Sequence, residues 1–310
     1  MKAVGFTEFG GPEVLRILEL PVPEAGPGEV RIRVHAATVN TVDTLQRGGP
    51  SGSPDAQPPF VPGMEAAGVV DQINPGTVTD LKVDDRVTAI VLPGGSHGAY
   101  AEQIVVPAES VVRAPRGATH AQAASLPMNG LTARLALDTL GLKPGRTVAI
   151  TGAAGAVGGY AVQLAKADGL RVVADASEQD EALVKELGAD VVLRRGAEYP
   201  DRVRAEVPEG VDGVVDGASL AGLTARAVRG GGRVVTLRGF DGPGERNIAF
   251  EPVVVFRYAR ERAKLDRLRQ QVEEGLITLR VAKTFPAEQA AEAHRLLGAG
   301  GVRGRLILTF

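Results

Sequence analysis

The stretch TGAAGAVGGYAVQLAK, residues 151–166, carries three glycines at intervals of three: Gly152, Gly155 and Gly158. An apolar run at 147–151 precedes them, a segment with helical spacing follows, and a second apolar run ends at Asp175. Glycine suits each position for a separate reason. Gly152 permits a tight turn, Gly155 lets a pyrophosphate approach the backbone, and Gly158 lets the helix pack close to the strand. The helix start at Ala156, Val157 and Gly158 then offers free N–H groups and a positive dipole end to phosphates. The chemistry implied is dinucleotide binding, although the spacing reads G-x-x-G-x-x-G rather than G-x-G-x-x-G.

Two signals compete over which dinucleotide is bound. Asp175, at the end of the second strand, stands where a carboxylate bonds the ribose hydroxyls of NAD and repels the extra phosphate of NADP. Ser177, just beyond that strand, and Arg194 with Arg195, after the third, are placed to bond that phosphate. The arginine pair reads equally as a solvated surface loop.

These residues need a scaffold. From about residue 120, short apolar runs at 147–151, 171–174, 191–193, 213–216 and 233–237 alternate with helical segments, the pattern of parallel strands joined by crossover helices. Upstream of about 115, runs at 30–34, 66–73, 86–91 and 99–106 are broken by proline and glycine, as in a compact, largely antiparallel β-domain. Residues 48–59, GGPSGSPDAQPP, lack apolar anchors and read as a mobile loop. A charged helix at 257–274, a second helix at 286–297 and a last strand at 305–309 close the chain. That lone strand is expected to rejoin the N-terminal domain.

Composition narrows the functional classes. Lys and Arg number 35 against 37 Asp and Glu, a formal charge of -2, so no overall field draws nucleic acid or an anionic membrane. The basic residues of the 257–274 helix are interrupted by acids without interleaved aromatics, which reads as a solvated face. No segment approaches the ~20 apolar residues that span a bilayer. With no cysteine in 310 residues, disulfides, thiol catalysis and thiolate-ligated metals are excluded. The expectation is a cytoplasmic protein with a small-molecule partner.

The opening MKAVGFTEFGGPEVL, VNTVDTLQRGG, FVPGMEAAGVV, GAYAE, LPMNGLTA, the glycine turn and the closing GRLIL together resemble the zinc-free medium-chain dehydrogenases/reductases, specifically the quinone oxidoreductase and zeta-crystallin group. The resemblance covers essentially the whole chain and explains the turn, which in this group is A-x-x-G-x-x-G. It implies an α/β fold: a doubly wound Rossmann sheet at 120–259, and a mainly antiparallel, GroES-like catalytic domain from 1–119 and 260–310, with the cofactor in the cleft between them. Zinc-dependent members carry cysteines and a G-H-E turn, where this chain reads Gly63-Met64-Glu65, so the zinc reading is rejected and Glu65 is read as a structural carboxylate.

The chemistry implied by the resemblance is hydride transfer to a quinone or activated α,β-unsaturated carbonyl, which delocalises the incoming charge without a Lewis acid. Asn40 is the candidate donor to the carbonyl oxygen, with a turn cap as the plainer role. Asp43 is either near the site or capping the next helix. Asn129 and Thr132 are placed at the carboxamide or substrate carbonyl, Thr132 equally as a helix N-cap. Asp216 and Gly217, and Leu237, Arg238 and Gly239, end strands on the cofactor side. His97 is a candidate proton donor, more simply a bystander. Arg303 and Arg305 match a segment near the cofactor, or form a solvated basic pair. Several members carry a tyrosine where this chain has Leu45. NADPH is the preferred cofactor, NADH the alternative. A homodimer is expected through an apolar edge strand at 252–256. Two other functions remain open: a specialised enone or enoyl reductase acting as a biosynthetic tailoring enzyme, and a non-catalytic dinucleotide-binding or redox-sensing protein.

Overall fold

The computed structural model describes residues 1–49, 57–240, 242 and 245–310. The chain divides into two compact units: Met1–Met128 with Phe256–Glu273 and Leu279–Phe310, and Asn129–Val255 with Glu274–Thr278.

The first unit opens with a two-stranded antiparallel ribbon of β1 (Lys2–Gly5) and β2 (Arg16–Glu19). In β3 (Glu29–Thr38), Val30, Ile32 and Val34 are buried while Arg31 and Arg33 are not, the period of two that gives one face to a core. Next come α1 (Thr41–Gly48), β4 (Glu65–Ile73), β5 (Arg86–Ile90), β6 (Gln103–Pro107), β7 (Val111–Arg113) and α2 (His120–Ala124). Helix α3 (Pro127–Leu140) begins in this unit and continues in the second.

In the second unit, β8 (Thr147–Thr151), α4 (Ala156–Ala167), β9 (Arg171–Ala176), α5 (Glu181–Glu186), β10 (Val191–Arg194), α6 (Tyr199–Glu206), β11 (Val211–Asp216), β12 (Val228–Thr236) and β13 (Ala249–Pro252) follow one another. All strand pairs are parallel, in the order β10-β9-β8-β11-β12-β13. This is the doubly wound order, with its switch point between β8 and β11, where such sheets bind ligands outside the strands' carboxyl ends.

The chain then re-enters the first unit with α7 (Arg262–Glu273), β14 (Val281–Pro286), α8 (Ala290–Ala299) and β15 (Arg305–Thr309). Strand β15 pairs antiparallel with β3, so the last strand does rejoin the N-terminal sheet, ordered β14-β15-β3-β4-β5-β7 with β6 also on β3. Its core gathers Phe6, Ile32, Val70, Ile104, Phe285 and Leu308.

Two expectations change. The edge strand is Ala249–Pro252, and the apolar residues after it form a 3-10 turn at Val255–Tyr258, which delays the charged helix to Arg262. On that helix, Arg262 pairs with Asp80, and Arg269 with Asp266 and Glu273. Of the loop expected at 48–59, residues 50–56 lie outside the described residues. Among the described residues no helix is long and apolar enough to cross a membrane.

Candidate active site

In the second unit, the turn after β8 is built as its glycines require. Gly152 has φ +69°, and a Cβ there would lie 3.0 Å from the Gly217 carbonyl. A Cβ on Gly158 would stand 2.2 Å from the Gly152 oxygen. The helix start thus rests directly on the turn. Gly155 caps α4 at φ -71°, so its lack of a side chain answers no backbone demand. Ala156, Val157 and Gly158 form the first helical turn, whose N–H groups have no partner inside the helix.

Asp175 faces the glycine turn. Its carboxylate is buried, and Oδ1 accepts the Ala153 N–H at 3.0 Å. Burial holds its pKa above the ordinary carboxylate value, against the opposing pull of the Ala153 and Gly152 N–H groups and the Arg195 charge. Through Oδ1 it braces the turn. Ser177 Oγ donates to Asp180 Oδ2 at 2.5 Å. Arg194 leans toward Glu178 at 3.4 Å, and Arg195 is exposed, held by its backbone N–H to Ala176 at 2.9 Å.

Asp216 is likewise a brace: Oδ1 accepts from Thr151 Oγ1 at 2.7 Å and Leu220 N at 3.1 Å, and Oδ2 from Ala221 N at 2.7 Å. Gly217 lies so close to β8 that a Cβ would meet the Thr151 oxygen at 2.6 Å. Leu237, Arg238 and Gly239 follow the carboxyl end of β12, with Arg238 and Gly239 exposed. Asn129 and Thr132 lie buried on α3. A glycine turn at the switch point, fronted by a helix start and two further strand ends, fits a dinucleotide.

The first unit holds a separate polar cluster. Glu65 is fully buried at the start of β4; Oε1 accepts from Thr38 Oγ1 at 2.5 Å, Asn40 Nδ2 at 3.2 Å and Arg305 Nη2, and Oε2 from Met128 N at 2.7 Å. Arg305 Nη2 also donates to Thr38 Oγ1 at 2.6 Å. Arg305 is thus a buried ion-pair partner and not a solvated base. Its position at the head of the apolar strand RLIL was the available signal.

Asp43 is wholly buried. Oδ2 accepts the backbone N–H of Asn40 at 2.7 Å and the Tyr100 hydroxyl at 3.1 Å, and Oδ1 the Gly63 N–H at 3.0 Å. It ties the start of α1 to the loops at Gly63 and Tyr100, while burial pushes its carboxyl up to about 6. The Tyr100 hydroxyl also meets His294 Nε2 at 3.1 Å, a residue on α8 that sequence reasoning missed. Burial drives the His294 pKa down to about 3, so it is neutral. His97 is lowered by burial as well. Leu45 stands 60% exposed on α1.

Residues 26–116 match the alcohol dehydrogenase GroES-like domain family, and residues 187–308 the zinc-binding dehydrogenase family. Zinc does not fit the residues present: the chain has no cysteine, both Glu65 oxygens are taken by protein donors, and among the described residues no three His, Asp or Glu side chains are grouped to hold a metal. The chain is 32% identical to a quinone oxidoreductase of Sus scrofa, covering 99% of this chain and 97% of that protein. An NADPH-dependent alkenal/one oxidoreductase of Arabidopsis thaliana is 30% identical over 99% of this chain and 79% of its own length. Among solved structures, an NAD-dependent alcohol dehydrogenase superposes with a TM-score of 0.89 at 32% identity, covering 100% of both chains. With the parallel sheet, the glycine turn and these near-full-length likenesses together, the chain belongs to the medium-chain dehydrogenase/reductase superfamily, in its quinone oxidoreductase and zeta-crystallin group of oxidoreductases.

Proposed function

We propose that the protein is an NADPH-dependent reductase that passes hydride to a quinone or an activated α,β-unsaturated carbonyl without a metal ion. One observation carries this reading: where metal-dependent members need ligands, Glu65 is saturated by Arg305, Thr38, Asn40 and Met128, in a chain that also bears a dinucleotide turn. The relatives' names, quinone oxidoreductase and alkenal/one oxidoreductase, support the same acceptors.

The nicotinamide, when bound, supplies the hydride. Gly152, Gly155, Ala156, Val157 and Gly158 hold the pyrophosphate through backbone groups, and Gly217, Leu237, Arg238 and Gly239 border the strand ends beside it. Asn129 and Thr132 orient the carboxamide. The incoming electron pair moves onto the acceptor's carbonyl oxygen. Asn40 donates to that oxygen the amide proton it does not spend on Glu65. Leu45 has no proton to offer, so the product takes its proton from water or another side chain.

NADPH is preferred because Arg195 is exposed beside the end of β9, while Asp175, the expected repelling carboxylate, is turned into the glycine turn. The NAD-dependent likeness makes NADH the alternative. We also place the protein in the cytoplasm, as a homodimer formed along β13, an edge strand followed by exposed Val254, Phe256 and Tyr258.

The test is steady-state oxidation of NADPH by ortho-quinones and by cyclic and linear enones, with and without a metal chelator. Turnover unaffected by chelation is expected. Activity confined to enones would favour the specialised enone reductase, which the apolar Leu45 supports. Tight NADPH binding with no acceptor reduced would overturn the proposal in favour of a non-catalytic dinucleotide-binding protein.

A further inference from the structure

The sheet pairing of the first unit brings three distant residues to one place. In β3, Ala37 pairs with Ala66 of β4, and Thr38 with Ile307 of β15. Thr38, Glu65 and Arg305 therefore sit at the same end of three neighbouring strands, and Asn40 follows at the cap of α1. All four are buried. A buried ion pair is in general no more stabilising than apolar residues of the same volume. Its chemistry here offers another use.

An asparagine amide has two ends of nearly equal shape, so its neighbours decide which way it faces. An ionised carboxylate only accepts. Thr38 donates its single hydroxyl proton to Glu65 Oε1 at 2.5 Å, leaving its oxygen as an acceptor for Arg305 Nη2 at 2.6 Å and Asn40 Nδ2 at 3.4 Å. Thr38 and Glu65 thus both ask for its NH2 end, in keeping with the α1 capping box in which the Asn40 side chain faces the Asp43 N–H, and Nδ2 lies 3.2 Å from Glu65 Oε1. The two acceptors are only 2.5 Å apart, so one amide N–H serves both and the other is left to donate elsewhere.

We infer that Glu65, held by Arg305 and Thr38, is the positioning residue that sets the Asn40 amide with a free N–H for the substrate's carbonyl oxygen, an inference that rests on the donor role proposed for Asn40. The same carboxylate accepts the Met128 N–H at 2.7 Å and so fixes the start of α3, the helix carrying Asn129 and Thr132. A glutamine at position 65 cannot do both tasks. If its oxygen keeps Met128, its NH2 confronts three donors and Asn40 is driven to turn its oxygen inward.

The experiment is a double-mutant cycle of Glu65→Gln and Asn40→Ala, reading kcat and KM for a quinone and the NADPH dissociation constant by fluorescence. Asn40→Ala should lower kcat by about 100-fold, the usual loss on removing one donor to a developing oxyanion. Glu65→Gln should lower kcat at least about tenfold, leave NADPH binding within about twofold, and add almost nothing in the Asn40→Ala background, the mark of two groups acting as one. Glu65→Asp, which keeps the charge, should recover part of the loss. A Glu65→Gln effect that persists undiminished without the Asn40 amide would overturn the positioning role alone. Wild-type kcat in Asn40→Ala would instead remove the donor role and the inference with it. Should Glu65→Gln not fold, Thr38→Val carries the same cycle: its smaller kcat loss must likewise vanish in the Asn40→Ala background, and persistence refutes the inference.

Discussion

Replacing Gly155 and Gly158 by alanine separates ligand approach from packing within one turn. A Cβ on Gly158 would sit 2.2 Å from the Gly152 oxygen, 2.6 Å from its carbonyl carbon and 2.8 Å from the Ala153 Cα, all backbone atoms. Ordinary contact is about 3.5 Å, so the start of α4 must retreat by about 1 Å. Overpacking of this kind costs about 1–3 kcal/mol. Gly158→Ala should therefore lose both thermal stability and NADPH affinity. At Gly155 the nearest atom to an added Cβ is the Gly152 oxygen at 3.0 Å, and the backbone, at φ -71° and ψ 179°, is open to alanine. Gly155→Ala should keep the fold within about 1 kcal/mol. On the proposed phosphate role of the turn, however, its methyl would stand in the approach of the pyrophosphate. Loss of one charge-assisted hydrogen bond, about 1.5–3 kcal/mol, raises the NADPH dissociation constant about 10- to 100-fold. Thermal unfolding and cofactor fluorescence titration read the two effects separately. Wild-type affinity in folded Gly155→Ala would refute the phosphate role of this turn.

Arg195→Ala should raise the NADPH dissociation constant about tenfold and leave that for NADH nearly unchanged, because only NADPH carries the phosphate; equal effects on both would remove Arg195 from cofactor choice. The Asp43 carboxyl titrates at 3.8 when unfolded and about 6 when folded, so the fold binds more protons between these values, and stability falls as pH rises from about 4 to 6, by about 3 kcal/mol. Asp43→Asn lacks this slope, and urea unfolding at a series of pH values that gave both proteins the same slope would show the reasoning to be wrong. Phe256→Asp, beside the β13 edge, should give a monomer by light scattering at micromolar concentration; a wild-type protein already monomeric there would remove the dimer.

Some elements were legible to the residue. Strand β8 was read as 147–151 because a buried parallel strand is one continuous apolar run, here closed by Gly152. The ribbon of β1 and β2 was not read, since RILE shows no alternating burial to detect. The start of the charged helix is not legible in the sequence, because VFRY, which forms a 3-10 turn, carries no capping signal that separates it from the helix. Asp175 shows how fine the limit is. Successive residues of a strand face opposite ways, so a carboxylate at a strand end points to the glycine turn or away from it according to a register that pairing decides.

By itself the sequence determined the alternation of strands and helices, the glycine turn and its place between a strand and a helix, and the absence of thiolate ligands. These depend on period, spacing and composition, which act within a few residues or over the chain as a whole. Only the tertiary structure decided which buried polar groups are partners: Arg305 for Glu65, 240 positions away, and His294 for Tyr100, 194 positions away. A side chain's partner across a sheet is set by strand order and register. Those follow from packing the whole core, and no local pattern encodes them.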